Sequence, residues 1–507
     1  MFRRLICTAL VLLMLPGLCI AEGAEQTFVM AGFDGQNSNR DWNTNDFFVR
    51  MEERTGISFT FQQYNDSSSW QSAKDEMFAN GQLPDVFFKA ALTNEELIRY
   101  TDSGQLIDLK PLLQEHAPNF WAHMEEHPEW LAAITLPNGK IGALPSIDTI
   151  AGQNLLWINQ QWLDNLGLEM PTDFDSLRTV LAAFRDNDPN QNGKKDEVPL
   201  TFLGPWDLKF FSHAYGVVAN DYNLYVDDAG KVHFWPDEDS FFLMASTLRD
   251  LYKDGLIDKN GFYSNDTLRQ YMETGDEKPP VYGMFFAADP IRLAGYANAT
   301  QYVAVPPFTC DGRQVYRNLF GNLGFGTFAI SSACSDPAAM LAWVDHLYSA
   351  DGAVEAMAGR LDVNYYMDAS GYWTWKSSSG SALTSNDLSS ITVYDTGMMP
   401  WCFPADFYIL TSVEPARKVA VEINNYSPYL VKPFPYFTLT GDEKARIQPL
   451  QDALGRYVDE GLARFVLGQV ELNEANIAAF RQGLKERGMD EMLLLWQSVA
   501  DRAITQE

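Results

Sequence analysis

The fold is decided by residues 27–90, where short apolar runs alternate with stretches of helical length. The apolar runs are TFVMAGF (27–33), ISFTFQQY (57–64) and DVFFKA (85–90), separated by TNDFFVRMEERT (44–55) and SWQSAKDEMFAN (69–80). This alternation predicts strands that are separated by helices, in the order β-α-β-α-β. That order is typical of a parallel sheet covered by helices, in which ligands bind beyond the carboxyl ends of the strands.

The rest of the chain is long enough for a second lobe of the same kind. With 507 residues, the chain exceeds what one hydrophobic core usually holds. After a second α/β block, the apolar runs 281–286, 301–305 and 325–330 indicate a return to the first lobe. Apolar residues at three- and four-residue spacing predict packing helices at 443–467 and 474–487.

We therefore expect an α/β protein of two lobes, each a mostly parallel sheet flanked by helices, with a helical C-terminal region. The predicted division is 1–21 as a signal peptide, 22–146 as the first part of lobe 1, 147–290 as the first part of lobe 2, 291–350 as a return to lobe 1, and 351–507 as a mainly helical segment that completes lobe 2 and the hinge.

The N-terminus is typical of an export signal. Arg3 and Arg4 form a positively charged region, residues 5–15 form an apolar one, and Ala21 precedes the predicted first mature residue, Glu22. Removal of this signal takes the formal net charge from −30 to −32. An acidic chain repels nucleic acid and anionic lipid, so polyanionic partners are disfavoured.

A lipoprotein signal is the competing interpretation of the same residues. The stretch LPGLC (15–19) loosely resembles a lipobox, and Cys19 would then carry the lipid, although Leu18 stands where a small residue is usual. Both interpretations place the mature chain outside the cytoplasm, at the cell surface or secreted. The cysteines that remain, Cys310, Cys334 and Cys402, allow one disulfide at most and form no CxxC motif.

The loop DPNQNGKKDE (188–197) carries oxygen side chains at alternate positions and a glycine after the third. A calcium ion takes about six to eight oxygen ligands, and alternate residues of a tight loop converge on one point. The predicted ligands of a structural Ca²⁺ are Asp188, Asn190, Asn192, Lys194 through its backbone carbonyl, Asp196 and Glu197. Pro199 stands where an EF-hand has its bidentate glutamate, so Glu197 would close the site. The alternative is a polar turn that binds no ion.

One zinc-protease pattern is present in the chain, and the motifs of several other enzyme classes are absent. HMEEH (123–127) matches H-x-x-E-H, but Pro128 disfavours helical geometry at His127. The chain has no G-x-S-x-G elbow, no phosphate-binding G-x-x-x-x-G-K-[ST] loop and no G-x-G-x-x-G after a strand. A pair of carboxylates would still serve a glycosidase or lyase, so the sequence leaves that class open.

Several stretches resemble the extracellular solute-binding protein family 1 of ABC importers, in its calcium-containing branch with alginate-oligosaccharide-binding proteins and LplA-like lipoproteins. They include FVRMEERTGI (48–57), LPDVF (83–87), WINQQWLDNLGL (157–168) and the loop 188–197. The resemblance covers nearly the whole mature chain. One departure is MAGRLD (357–362), where the family usually has Y-G-x-x-G.

The resemblance implies a periplasmic-binding-protein-like fold whose lobes close around a ligand that is passed to ABC permease subunits. It implies a monomeric binding protein that is not an enzyme. Sugars are bound by aromatic platforms with carboxylate and amide hydrogen bonds. The cleft candidates are Trp42, Trp206, Phe286, Asp289 and Trp401. Each has an ordinary core or surface role as its alternative. A secreted carbohydrate-active enzyme and a ligand-sensing partner of a membrane receptor remain the competing functions.

Overall fold

The computed structural model describes residues 26–149, 154–263, 279–318, 323–376, 380–381, 383–394, 399–403, 406–412, 414–435 and 437–506. The predicted signal peptide, its cleavage point and Cys19 lie outside these residues. Within the described part of the chain, every helix is too short or too polar to cross a membrane.

Helices surround two principal sheets. The α-helices are Asp46–Thr55, Ser67–Asn80, Asn94–Asp102, Lys110–His116, Pro118–Glu126, Pro128–Ile134, Gln160–Leu166, Phe174–Asp186, Pro205–Leu208, Asp239–Lys253, Ile291–Ala294, Pro337–Asp345, Ala350–Ala358, Ser385–Ile391, Phe407–Thr411, Glu414–Asn424, Gly441–Val466, Glu474–Glu486 and Met489–Gln506. Short 3-10 helices are Lys209–Tyr215, Trp235–Asp237, Lys259–Phe262, Asn298–Gln301, His346–Tyr348 and Ser427–Tyr429.

Among the described residues, the first sheet has six strands. In spatial order they are Cys402–Phe403, Leu144–Asp148, Leu323–Ile330, Val86–Phe88, Gln26–Phe33 and Ile57–Tyr64. Gln26–Phe33 pairs in parallel with Ile57–Tyr64 and Val86–Phe88. The β-α-β-α-β order predicted from residues 27–90 is therefore confirmed.

The first helix shows why these boundaries follow from the sequence. The Asn45 side chain accepts a hydrogen bond from the Phe47 backbone N–H and so caps the helix Asp46–Thr55. Gly56, at a φ of 70°, ends the helix in the left-handed conformation that glycine adopts without a steric penalty. The next residue begins the second strand.

The second sheet has four strands. In spatial order they are Tyr302–Ala304, Leu155–Asn159, Tyr282–Ala287 and Val198–Thr201. Val198–Thr201 and Tyr282–Ala287 are parallel, whereas the other two pairs are antiparallel. Smaller two-stranded sheets pair Tyr316–Arg317 with Leu430–Val431, Tyr365–Met367 with Trp373–Trp375, and Leu224–Val226 with Val232–Phe234.

Both sheets are mixed. Parallel pairs are the majority in the first sheet, as expected, with three of its five pairs, whereas only one of the three pairs in the second sheet is parallel. Leu323–Ile330 enters the first sheet from the second lobe and runs antiparallel to both of its neighbours. Leu155–Asn159 enters the second sheet from the first lobe and likewise runs against its neighbours. Strands that arrive across the hinge therefore account for the antiparallel pairs.

The described strands and cores account for three passages of the chain between the two lobes. Residues 149–154 and 305–322 connect strands of different sheets. Residues 404–418 connect Phe403, in the first core, to Val419, which is buried in the second. Three connections between two separately packed cores are a geometry that allows hinge motion.

The predicted lobe division needs one correction. Residues 291–350 were expected in lobe 1, but Tyr302–Ala304 pairs with Leu155–Asn159 in the second sheet. Of the three apolar runs expected to return to lobe 1, only 325–330 lies in the first sheet. An apolar run indicates a strand but carries no information about which sheet accepts it.

The segment 351–507 divides between the two cores. Buried residues of Ala350–Ala358 and of Cys402–Phe403 belong to the first core. Buried residues of Gly441–Val466 and Met489–Gln506 pack in the second core. The described chain after the third crossing is thus mainly helical, and its buried residues pack in the second core.

Candidate ligand cleft and cation loop

Polar side chains gather at the carboxyl edge of the second sheet. Thr201 lies opposite Phe285 and Leu155 lies opposite Ala287, so Val198–Thr201 and Tyr282–Ala287 end where Leu155–Asn159 begins. The residues that follow or precede these strand ends are therefore brought together, although they are far apart in the chain.

Asp207 is the most unusual group at this edge. Its side chain is fully buried in the short helix Pro205–Leu208 of the second lobe. One carboxylate oxygen accepts a hydrogen bond from the Leu203 backbone N–H at 2.9 Å, and the other lies 3.4 Å from Asn154 Nδ2. Burial raises the pKa of Asp207 to about 6. A carboxyl that titrates near neutral pH thus contacts the first crossing segment.

The second crossing segment reaches the same place through Tyr316 and Arg317. The Tyr316 hydroxyl donates to the Asn154 backbone carbonyl at 2.6 Å. The Arg317 guanidinium lies 4.0 Å from the centroid of the Phe210 ring and donates to Asp221 Oδ1 at 2.8 Å. Two of the three crossings are therefore tied together at this edge.

The carboxyl edge of the first sheet has its own buried ion pair. Asp34 follows the strand Gln26–Phe33 and Lys89 follows Val86–Phe88. Lys89 Nζ lies 2.9 Å from Asp34 Oδ1, and both side chains are fully buried. Lys89 adopts a φ of 53°, a left-handed conformation that is strained for a residue with a Cβ. Ion pairing and packing therefore hold this strand end in an uncommon conformation.

Two of the five cleft candidates lie at the edge of the second sheet. Trp206 is 44% exposed in the helix that carries Asp207. Asp289 follows the strand Tyr282–Ala287 and accepts a hydrogen bond from the Ile291 backbone N–H at 2.7 Å. Both remain proposed ligand contacts.

The other three candidates are core residues in this structure, which corrects their assignment. Trp42 is 0% exposed, with Phe88 edge-on at 5.6 Å between ring centroids. Phe286 is 1% exposed within its strand, and Trp401 is 3% exposed beside Tyr394. Their ring faces are covered by protein. Loop position in the sequence did not distinguish these aromatic residues from cleft residues, because loops of this protein also contribute to the cores.

Sequence reasoning missed Asp34, Lys89, Asn154, Asp207 and Arg317. A usable signal existed for the first two, since Asp34 directly follows the predicted strand 27–33 and Lys89 is a charged residue near the end of the predicted strand 85–90. Asp207 lacked such a signal because its burial depends on contacts with Asn154, which is distant in the chain.

The predicted cation loop is a compact turn. Asp188 accepts hydrogen bonds from the backbone N–H groups of Asn192 at 3.1 Å and Gly193 at 2.9 Å. Asn192 Oδ1 accepts from the Lys194 backbone N–H at 2.8 Å. Asn192 Nδ2 lies 3.0 Å from Asp196 Oδ1. These side chains therefore lie close together within one turn, and the assignment of the loop as a cation site stays a prediction.

Glu197 provides the test of whether this loop fits a cation. Both of its carboxylate oxygens are buried, and neither has a hydrogen-bond partner. Burial is the largest cause that raises the pKa of Glu197, and the neighbouring Asp196 and Asp188 charges raise it further. An orphaned carboxylate beside two others is the environment that a hard cation would neutralise.

The carboxylates alone do not make a compact cluster. Among the residues that the structure describes, no three or more His, Cys, Asp or Glu side chains are grouped closely enough to hold a metal ion. The predicted ligand set also includes asparagine amide oxygens and the Lys194 carbonyl oxygen. The unpartnered Glu197 oxygens are the feature of this loop that fits a cation.

The H-x-x-E-H pattern does not assemble a zinc site in the described structure. His123 Nε2 lies 2.9 Å from the Tyr348 carbonyl oxygen. His127 ends the helix at a φ of −127°, and its ring stacks on Trp130. The expected effect of Pro128 on His127 is confirmed. Cys310, Cys334 and Cys402 are free thiols.

The chain matches the family of bacterial extracellular solute-binding proteins over residues 43–354. Because this match covers more than half of the chain, the protein belongs to that family. The resemblance inferred from sequence stretches is confirmed.

Relatives with known names add detail. FusA, a fructooligosaccharide ABC transporter substrate-binding protein of Streptococcus pneumoniae serotype 4, is 29% identical over 325 residues, which are 62% of this chain and 59% of FusA. The aligned part is thus less than two thirds of that relative's length.

Solved structures show the same fold. An EF-hand mutant of S. pneumoniae FusA in complex with fructo-nystose has a TM-score of 0.63 at 23% identity, covering 95% of this chain and 100% of that one. An extracellular solute-binding protein from Bifidobacterium longum subsp. infantis has a TM-score of 0.71 at 19% identity, covering 94% and 98%.

Proposed function

We propose that this chain is the extracytoplasmic substrate-binding protein of an ABC importer and captures an oligosaccharide or related sugar-like solute between its two lobes. Membrane permease subunits would receive the ligand, and ATP hydrolysis would take place in another protein. FusA, which is named as a fructooligosaccharide-binding component, supports this ligand class. Family membership favours a binding role over that of a secreted carbohydrate-active enzyme.

The observation that carries the proposal is the arrangement of two separately packed sheets around three chain crossings. Each sheet ends in buried charged groups, Lys89 with Asp34 in the first and Asp207 in the second. Ligands of open α/β sheets bind beyond such strand ends. A ligand that contacts both edges would favour the closed arrangement by the difference in its affinity for the two states.

Trp206 and Asp289 are the proposed ligand contacts in the second lobe. An exposed indole offers a flat apolar face to a sugar ring, and a carboxylate accepts hydrogen bonds from sugar hydroxyls. Asp207, directly after Trp206 and held by Leu203 and Asn154, would position that indole. We assign no catalytic role to these carboxylates.

The loop 188–197 is proposed as a structural calcium site. Asp188, Asn190, Asn192, Lys194, Asp196 and Glu197 would supply the ligands. A bound calcium ion would supply positive charge to the loop between the helix Phe174–Asp186 and the strand Val198–Thr201. The orphaned Glu197 oxygens support this assignment. The related FusA also occurs among solved structures as an EF-hand mutant.

Location outside the cytoplasm agrees with the family description as extracellular. The export signal at 1–21 and lipidation of Cys19 remain proposals from sequence. Mass spectrometry of the mature N-terminus separates them, because cleavage at Glu22 and a lipid-modified Cys19 give different masses.

One experiment separates a binding protein from an enzyme. Purified protein is incubated with neutral oligosaccharides such as kestose and maltotriose, and binding is followed by calorimetry while product sizes are followed by chromatography. The proposal expects saturable binding with recovery of intact sugar. Turnover of the sugar would favour the secreted enzyme, and absence of binding to every glycan would contradict the sugar assignment.

A further inference from the structure

A glycine lies against the indole of Trp206. Gly204 is the residue directly before the short helix Pro205–Leu208, which carries Trp206. A Cβ atom at Gly204 would lie 2.2 Å from Cη2, 2.2 Å from Cζ3 and 2.5 Å from Cε3 of the indole. Such similar distances to three consecutive ring atoms place this point over the face of the six-membered ring, not beyond its edge. One face of the ring therefore rests on the Gly204 backbone.

The need for glycine at this position comes from space and not from backbone conformation. Gly204 has a φ of −173° and a ψ of 168°, an extended conformation that any residue adopts. An alanine would fit this backbone, but its Cβ would collide with the ring, because nonbonded carbon atoms pack at about 3.5–4.0 Å. The Trp206 side chain is 44% exposed, so the indole would turn away and relieve the collision.

The backbone on both sides of the indole is held by hydrogen bonds. The Asp207 backbone N–H donates to the Gly204 carbonyl at 3.0 Å. The Asp207 carboxylate accepts from the Leu203 backbone N–H at 2.9 Å. Pro205 lies between these two anchors, and its ring restricts the backbone further. The turn 203–207 is therefore a rigid base for the indole.

A rigid base matters because ordering a mobile side chain at a binding site costs free energy, whereas a side chain that is already ordered avoids this cost. Gly204 covers one face of the six-membered ring, so a ligand can stack only on the opposite face. The glycine thus determines both the orientation of the indole and the face that it offers.

We propose that Gly204 is a positioning residue for ligand binding, because it seats Trp206 with one ring face on the backbone and leaves the opposite face free for the ligand. The inference rests on the proposed function, in which Trp206 is a sugar contact. Gly204 has no side chain of its own and acts through the indole. Its effect on affinity should therefore disappear when the indole is absent.

A double-mutant cycle tests this dependence. Calorimetry with kestose and maltotriose compares wild type, Gly204→Ala, Trp206→Ala and the double variant. We expect Gly204→Ala to lower the affinity about three- to tenfold, as displacement of an aromatic contact would. The same substitution should lower the affinity by less than about twofold when residue 206 is already alanine.

Gly455→Ala is the matched control. Gly455 lies in the helix Gly441–Val466 of the same lobe, and a Cβ atom there would have no heavy atom within 4 Å. This variant should bind both sugars as wild type does. Melting temperatures, measured for every variant, should not fall in Gly204→Ala, because the collision is relieved by an exposed side chain.

Nuclear magnetic resonance observes the seat itself without a ligand. In protein labelled with ¹³C-glycine, the Gly204 Hα resonances are identified by their loss in Gly204→Ala. The ring current of the stacked indole should displace them upfield, and Trp206→Ala should return them to ordinary values. The Gly455 resonances should stay in place in Trp206→Ala.

The possible failures are distinguishable. Equal affinity in Gly204→Ala and wild type, or an equal loss with and without the indole, overturns the positioning role and leaves the proposed function standing. Gly204 resonances at ordinary values in wild type overturn the stacked geometry. A wild-type protein that binds no neutral oligosaccharide contradicts the proposed function and removes the role of Gly204 in binding, even where the ring-current displacement demonstrates the seat.

Discussion

Lys89 Nζ lies 2.9 Å from Asp34 Oδ1, and this ion pair is fully buried where two adjacent parallel strands end. Arg40 Nη1 also lies 3.6 Å from the other Asp34 oxygen. Charges are seldom kept out of water in a core unless they are paired. The pair therefore fixes the carboxyl edge of the first sheet, which is one side of the proposed cleft.

Lys89→Met should destabilise the protein by about 3–5 kcal/mol, because it leaves the buried Asp34 without its principal partner. Urea unfolding measures this loss. Lys253→Met, at a lysine side chain that is 58% exposed, is the control and should change stability by less than about 0.5 kcal/mol. If the two variants unfold at the same urea concentration, the ion pair does not stabilise the sheet edge.

Glu197→Gln should weaken the response to calcium. For the wild-type protein, Ca²⁺ at about 100 times its dissociation constant should add roughly 2.7 kcal/mol of stability, and a chelator should remove it. The variant should need at least about tenfold more Ca²⁺ for the same rise in melting temperature. Glu486→Gln, at an exposed helical position, should respond as wild type does. A calcium response that is missing in wild type, or unchanged in Glu197→Gln, contradicts the cation site.

Asp207 should make stability depend on pH between about 4 and 6. Its pKa is raised from 3.8 to about 6 in the folded chain, so the folded state holds the proton that the unfolded state has lost. The stabilisation of the fold by protonated Asp207 is therefore complete below about pH 4 and is lost as pH rises to 6. Relative to Asp207→Asn, the wild type should lose roughly 3 kcal/mol across that range. Parallel unfolding curves for the two proteins at every pH would show that this carboxyl is not perturbed.

Trp206→Ala should weaken sugar binding at least about tenfold while it changes the melting temperature little, since the side chain is 44% exposed. The matched control is Tyr263→Ala, at an aromatic side chain that is 66% exposed and outside the proposed cleft. Calorimetry with a neutral oligosaccharide measures the effect. Equal affinities for the two variants would remove Trp206 from the binding site.

Local patterns predicted the first half of the first sheet well. Apolar runs and caps such as Asn45 and Gly56 act over a few residues, so the sequence contains the whole cause of the helix Asp46–Thr55. The sheet to which the strand Tyr302–Ala304 belongs is decided by its pairing with Leu155–Asn159, which is remote in sequence. Strand existence was therefore predictable, whereas strand partners and the mixed sheets were not.

The candidate site also has a part that the local sequence predicts and a part that depends on tertiary packing. The compact turn from Asp188 to Glu197 was predictable because the spacing of its polar side chains is local. The burial of Trp42 and the contact of Asn154 with Asp207 arise from tertiary packing. Patterns of residue type along one sequence do not contain those contacts.

Small-angle X-ray scattering, with and without a saturating neutral oligosaccharide, tests the central claim most directly. Hinge closure of two lobes predicts that the radius of gyration falls on binding and that the sugar is recovered intact. An unchanged radius of gyration at full occupancy, or a sugar cleaved during the measurement, would contradict a closing substrate-binding protein.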